Sequence, residues 1–279
     1  MARWTISFLV AGLLTAHVSG ETEFRRSMDR VSSMDPAAAS SLYAARAVQL
    51  VYEPLLEFDY RVRPYTLVPG LAESLPDVHS NGLVYVFRLH PDARFQSDCC
   101  FGMDAAGQPR GRPVTADDVI FSLKRLADRR VASPGAWLVE DTVAGMRVFA
   151  DASMVGRTTD YSLPVSGLRA LDARTVRIEL ARPMHPFIWY LAMSYSAVVP
   201  PEAVKLYGED FGSHAVGTGA YRLTGWQRNH QMTYTRDPSW RGWRKGPAAV
   251  CAGDGAVPFD RVVYRVIDDV STQWLCFLS

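Results

Sequence analysis

The chain has 279 residues, of which 48% are hydrophobic, enough apolar material to bury one large or two ordinary cores. Its 30 Lys plus Arg stand against 29 Asp plus Glu, so no net field draws nucleic acid or an anionic membrane, and nucleic acid is not an expected partner. Residues 1–20 combine Arg3, an apolar run from Ile6 to Leu14, and the small residues Val18-Ser19-Gly20, the pattern of a signal peptide cut before Glu21. A bilayer span needs ~20 apolar residues and this run is about half that, so export rather than anchoring is expected.

Downstream, Glu21 to Ser33 is polar and charged and does not read as a strand. Met34-Asp35-Pro36 precedes a helix-like run from Ser40 to Leu50, followed by Val51-Tyr52-Glu53-Pro54-Leu55-Leu56-Glu57. Leu83, Tyr85, Phe87 and Leu89 alternate with Val84, Val86 and Arg88, which predicts a strand, with Phe95 in a following loop. Thr115 has the features of a helix N-cap answered by Asp118, and Asp117 and Asp118 complement the positive helix start. Val119, Leu123 and Leu126 repeat at helical spacing behind it, and the helix is expected to continue toward Ala132-Ser133-Pro134.

Val176, Ile178 and Leu180 alternate as a half-buried strand. Pro183 to Met193 reads as an aromatic helix whose Phe187, Trp189 and Tyr190 are more simply core than ligand platform, and Val198 to Val204 as a strand entering another helix. In Val216-Gly217-Thr218-Gly219-Ala220-Tyr221 the glycines suit a tight turn; the third glycine of a dinucleotide fingerprint and the Lys-Ser/Thr of a P-loop are missing. Val262 to Ile267 is a strand and Ser271 to Leu275 opens a helix.

Enzyme signatures are lacking. The six histidines form no His-Glu-x-x-His pair, there is no Gly-x-Ser-x-Gly elbow, and Asp117 and Asp118, adjacent on a helix, point about 100° apart. Four cysteines leave room for one disulfide, most simply Cys99 or Cys100 with Cys251, its connectivity open. Vicinal Cys99-Cys100 lacks the second ligand pair of a metal site, so neither metal nor other cofactor is expected.

The run Tyr85-Val86-Phe87-Arg88-Leu89, Phe95, Pro113-Val114-Thr115-Ala116-Asp117-Asp118-Val119 and Ser122 resembles the signature of the family 5 solute-binding proteins of ABC importers, the oligopeptide, dipeptide and nickel binders. Asp35-Pro36, Tyr52-Glu53, Pro69-Gly70-Leu71-Ala72-Glu73-Ser74, Gly217-Thr218-Gly219-Ala220-Tyr221 and Arg236-Asp237-Pro238 with Trp240 are similar to further family motifs. The resemblance implies an α/β, periplasmic-binding-protein-like fold of type II, with mixed sheets and helices. Residues 21–52 and 201–268 would form a discontinuous first lobe, residues 53–200 an inserted domain, and residues 269–279 the start of a second lobe that the chain does not contain.

It also implies a periplasmic, non-enzymatic component of an ABC importer that captures oligopeptides or dipeptides and passes them to a permease in the inner membrane, with no stable oligomer expected. In the family, the segment after Asp-Pro pairs with peptide backbone like an added strand. Carried over from Pro36, this points to Ser40 and Leu42 as ligand contacts, with Gly135 or Trp137 flanking; Gly135 stands where a tyrosine often follows Ser-Pro, and helix core is the competing role of Leu42. With half a cleft, the chain alone is expected to bind peptide weakly or not at all. A truncated remnant or scaffold without transport role, and after it a periplasmic hydrolase, are the competing functions.

Overall fold

The computed structural model describes residues 22–245, 259–267, 269, 271, 272 and 274. The signal peptide assignment and two of the four cysteines, Cys251 and Cys276, lie outside these residues; Cys99 and Cys100 are not bonded to each other. In chain order the strands are β1 (Glu23–Met28), β2 (Leu56–Asp59), β3 (Thr66–Pro69), β4 (Asp77–His79), β5 (Val84–Arg88), β6 (Asp98–Met103), β7 (Pro109–Arg110), β8 (Leu168–Asp172), β9 (Thr175–Glu179), β10 (Tyr221–Gln227), β11 (Gln231–Arg236) and β12 (Arg261–Val266). The helices are α1 (Leu42–Val51), α2 (Ala116–Ala127), α3 (Met146–Ala152), α4 (Phe187–Tyr190) and α5 (Pro201–Tyr207).

Two sheets carry the architecture. One runs in the order β1-β12-β11-β10 and the other β4-β5-β9-β8, with β2-β3 and β6-β7 as separate hairpins. Each sheet supports its own buried cluster. The first gathers Met28, Met34, Val48, Val51 and Tyr52 with Phe211, Met232, Tyr234, Val262 and Tyr264. The second gathers Leu55, Leu56, Phe87, Leu89, Phe95, Val119, Leu123, Phe149, Val176, Ile178 and Phe187. Residues 197–199 thread the seam between them: Val198 belongs to the second cluster, its neighbours Ala197 and Val199 to the first.

The strongest sequence signals form as expected. In β9, Val176 and Ile178 are fully buried, and β5 pairs with β9 across five positions. Thr115 and Asp118 make a capping box at the start of α2, with the Asp118 carboxylate accepting the Thr115 amide at 2.8 Å and its hydroxyl at 2.9 Å. The apolar face of α2, Val119, Leu123 and Leu126, is buried at 1% exposure each.

Five expectations are corrected. Residues Glu23–Met28 do form a strand, pairing in parallel with β12 from Glu23↔Arg261 to Met28↔Val266. It is an edge strand with Glu23 to Ser27 largely open to solvent, so backbone pairing holds it where apolar alternation does not. Helix α2 ends at Ala127, with Asp128 extended at φ −66° and ψ 113°, rather than running toward Ser133. The aromatic helix is cut to Phe187–Tyr190, because Pro186 lacks the amide needed to continue an upstream turn. Residues Val198–Pro200 join no sheet; the Val198 amide donates to the Glu53 carbonyl and the Val199 amide to Ser122 Oγ, both in the seam. Between Phe95 and Val114, where a loop is expected, the chain folds the β6-β7 hairpin.

Candidate functional site

The seam is held by charged pairs that come from the motif residues. Asp35 caps a short 3-10 turn by accepting the Ala37 amide at 3.0 Å, and its two carboxylate oxygens accept Arg125 of α2 at 2.6 and 2.7 Å. Both side chains are only 9% exposed, so the pair stands in for solvent that neither can reach. Burial disfavours the Arg125 cation, but the bond to Asp35 outweighs it and the net shift keeps the guanidinium charged.

Arg112 makes a second tie. It donates to both Asp118 oxygens at 2.7 Å and to Glu202 of α5 at 2.8 and 2.6 Å, so α2 and α5 are joined across the seam. Burial works against the charged form of Glu202, yet the Arg112 bond prevails and holds its carboxyl below the usual range. A third tie joins Arg241 to Glu53 at 2.7 and 2.8 Å and to the Gly70 carbonyl at 2.7 Å. None of these roles for Arg112, Arg125 or Arg241 is visible in sequence spacing, since each partner lies on another element.

The four residues expected to contact ligand lie on or just beyond two segments that Ser133 ties together. Ser133 Oγ donates to the Ala37 carbonyl at 2.5 Å and accepts the Gly135 amide at 3.1 Å, which fastens the Asp35–Ala39 segment to the Ser133–Gly135 turn. Ser40 is exposed, and Leu42, the first residue of α1, is 63% exposed. The core role for Leu42 is therefore overturned: Ser41 caps the helix by accepting the Ala44 amide, and the buried face of α1 is Ala44, Ala47, Val48 and Val51. Trp137 is 55% exposed and meets Tyr190 edge to face at 5.2 Å between centroids.

Gly135 is different. It is buried, and a Cβ added there would lie 2.8 Å from the Tyr195 ring. The place of a side chain at 135 is thus taken by Tyr195, a half-buried residue of the 3-10 turn Ser194–Ser196 that packs against Pro36–Ala38. Sequence reasoning missed Tyr195, because its relation to Gly135 exists only in the folded chain. Ser40 and Leu42 thus follow one of the two tied segments, and Trp137 follows the other, with Tyr190 against Trp137 and Tyr195 over Gly135. Such residues offer apolar and aromatic contact area. Among the described residues no group of three or more His, Cys, Asp or Glu is placed to hold a metal ion, and no helix is long and apolar enough to cross a membrane.

A second acidic feature lies nearby. Glu57 on β2 borders a cavity of about 490 Å³ shared with Glu53, Tyr60, Trp240 and Arg241. Burial, then the Glu53 charge, push its carboxyl up to about 7, with Arg241 opposing.

The model of the bacterial extracellular solute-binding proteins, family 5 Middle, matches residues 66–279. The probable ABC transporter periplasmic-binding protein SapA of Escherichia coli is 33% identical over 222 residues, which cover 76% of this chain and 36% of that protein. The periplasmic oligopeptide-binding protein OppA of Escherichia coli is 27% identical over 254 residues, covering 84% of this chain and 42% of the relative. Among solved structures, the unliganded open form of the periplasmic murein tripeptide binding protein MppA superposes with a TM-score of 0.72 at 23% identity, over 92% of this chain and 44% of that one. Burkholderia pseudomallei OppA gives a TM-score of 0.71 at 23% identity, over 94% and 45%. The chain thus has the periplasmic-binding-protein-like fold and spans less than half the length of these relatives. With the family model covering most of it, this chain belongs to the bacterial extracellular solute-binding proteins of family 5.

Proposed function

We propose that the chain supplies one wall of a peptide-capturing site in the extracytoplasmic binding component of an ABC importer, which hands its cargo to a membrane permease. The carrying observation is the exposure of two large apolar side chains: Leu42 and Trp137, at 63% and 55%, stand open a few residues beyond the segments that the Ser133–Ala37 bond fastens together. An exposed aromatic and an exposed aliphatic side chain offer a ligand apolar contact area and a ring face to stack on. Short peptides suit such a surface because backbone amides and termini are the same in every sequence, leaving apolar contacts to tolerate varied side chains. The names of the relatives, peptide and oligopeptide binders, support the same cargo class. The two buried clusters support a first lobe of residues 21–52 and 201–268 with residues 53–200 inserted.

The test is a titration of the chain with mixed peptides of two to five residues, followed by indole fluorescence and backbone NMR shifts. A weak, saturable response is expected at about 10 mM peptide, where even a Kd of about 1 mM leaves most sites filled. Leu42→Ala and Trp137→Ala should each weaken it several-fold. Absence of any saturable response, or one that both variants leave unchanged, would refute the proposed wall.

A further inference from the structure

Beside the β2-β3 hairpin lies the cavity of about 490 Å³ that Glu57 borders. Along β2, Glu57 and Asp59 share one side of the strand, and Glu57 is paired across the hairpin with Val68, which lines the same cavity. The stem of Glu57 lies against Gly70, where an added Cβ would come 3.2 Å from Glu57 Cγ, and Gly70 is part of the cavity wall. Glu57 and Tyr60 border a smaller cavity of about 180 Å³ as well, so the carboxylate stands between two open spaces.

The charges around it do not balance. Glu53, Glu57, Asp59 and Glu73 line the larger cavity against Arg61 and Arg241, with His90 beside them. Both guanidiniums are already engaged: Arg61 donates to Asp59 at 2.7 and 2.8 Å, and Arg241 to Glu53 at 2.7 and 2.8 Å and to the Gly70 carbonyl. Among the described residues, the carboxylates of Glu57 and Glu73 accept no hydrogen bond and form no ion pair, and the Glu57 oxygens are not sealed from solvent. Burial, then the Glu53 charge, push the Glu57 carboxyl up to about 7, as expected of an anion short of a counter-charge.

We infer that this cavity binds an aliphatic ammonium group, whose charge is met by Glu57, with Glu73 adding to the negative field and Val68 and Pro69 receiving the alkyl chain. An ammonium brings three donors and the positive charge that the lining lacks. Tyr60 and Trp240 border the same space, and aromatic faces attract cations. A bare metal ion suits the cavity less: among the described residues no group of three or more His, Cys, Asp or Glu is placed to hold one, and the volume has room for several carbon atoms. None of these residues belongs to the proposed peptide wall, so the two sites stand or fall separately.

The experiment is a backbone NMR titration of the chain with pentylamine, pentanol, magnesium chloride, and the blocked peptide acetyl-Gly-Lys-Gly-amide, which carries the same ammonium on a peptide. Pentylamine should shift the amides of Glu57, Gly70 and Gly242 saturably at about 1–10 mM, the range open to so small a ligand. Glu57→Gln should weaken this about ten-fold, the loss of one bond to a charged group, while Leu42→Ala leaves it unchanged. Wild-type affinity should also rise several-fold from about pH 6 to about pH 8 as Glu57 ionises, and Glu57→Gln should remove most of that rise. A response to the lysyl peptide alone, lost in Glu57→Gln, would assign the ammonium to a peptide rather than a free amine. The inference is overturned if pentanol or magnesium shifts the same amides as strongly, if neither ammonium compound gives a response, or if Glu57→Gln responds like the wild type. Should that variant not fold, pentylamine against pentanol on the wild-type chain decides.

Discussion

Asp35 and Leu42 stand on one short segment and end in opposite surroundings. The Asp35 carboxylate is 9% exposed and clamped by Arg125, whereas Leu42 is 63% exposed on the first turn of the next helix. The same contrast recurs on the facing segment, where Ser133 is sealed by its bond to Ala37 and Trp137 stands 55% exposed. Motif residues thus build a rigid base, and the residues a few positions later project from it. Rigidity beneath and exposure above is what a binding surface needs, since contact residues held in place lose less entropy when a ligand arrives.

The largest effect on this contrast should come from breaking the base. Asp35→Ala leaves Arg125 buried and unpaired and is expected to destabilise the chain by about 3–5 kcal/mol, measured by urea denaturation. A loss under about 1 kcal/mol would show that solvent reaches the guanidinium and that the pair is not a clamp. Next in size is Gly135→Ala, whose Cβ would sit 2.8 Å from the Tyr195 ring. Overpacking of that kind costs about 1–3 kcal/mol, and Tyr195→Ala in the same chain should recover part of it, a coupling that a double-mutant cycle reads directly.

A smaller effect is tied to pH. Burial and Glu53 raise the Glu57 carboxyl from 4.5 to about 7, so the folded chain holds this proton more tightly than the unfolded one. The stabilisation is therefore fully present below about pH 4.5 and is lost as pH rises through about 7. Glu57→Gln should flatten this part of the stability profile; an unaltered slope between those values would assign it to other groups. The smallest effects on stability belong to the projecting residues. Leu42→Ala and Trp137→Ala should shift the unfolding free energy by no more than about 0.5 kcal/mol while weakening peptide binding, and a large loss of stability would place them in the base instead.

Much of the base was legible in the chain. Alternation at Val176 and Ile178, the spacing of Val119, Leu123 and Leu126, and the Thr115 to Asp118 cap are local patterns, and local patterns follow from backbone geometry and from the burial of one face. Ser40, Leu42 and Trp137 were reached through family resemblance and stand exposed, while the burial of Gly135 was hidden, because its space is filled by a residue sixty positions away. Strand β1 escaped notice for a related reason: an edge strand needs a partner's backbone, here β12, more than it needs an apolar face.

The sequence by itself determined the elements with a strong period, the positions of the turns and the family of the chain. Tertiary structure alone decided which charges meet across the seam, that Tyr195 closes over Gly135, and that Glu57 borders a cavity with its carboxylate unpaired. The physical reason is distance along the chain. Periodicity reports interactions among neighbours, while Asp35 with Arg125, Arg112 with Glu202 and Glu53 with Arg241 are joined only once two cores have packed and placed their surfaces together.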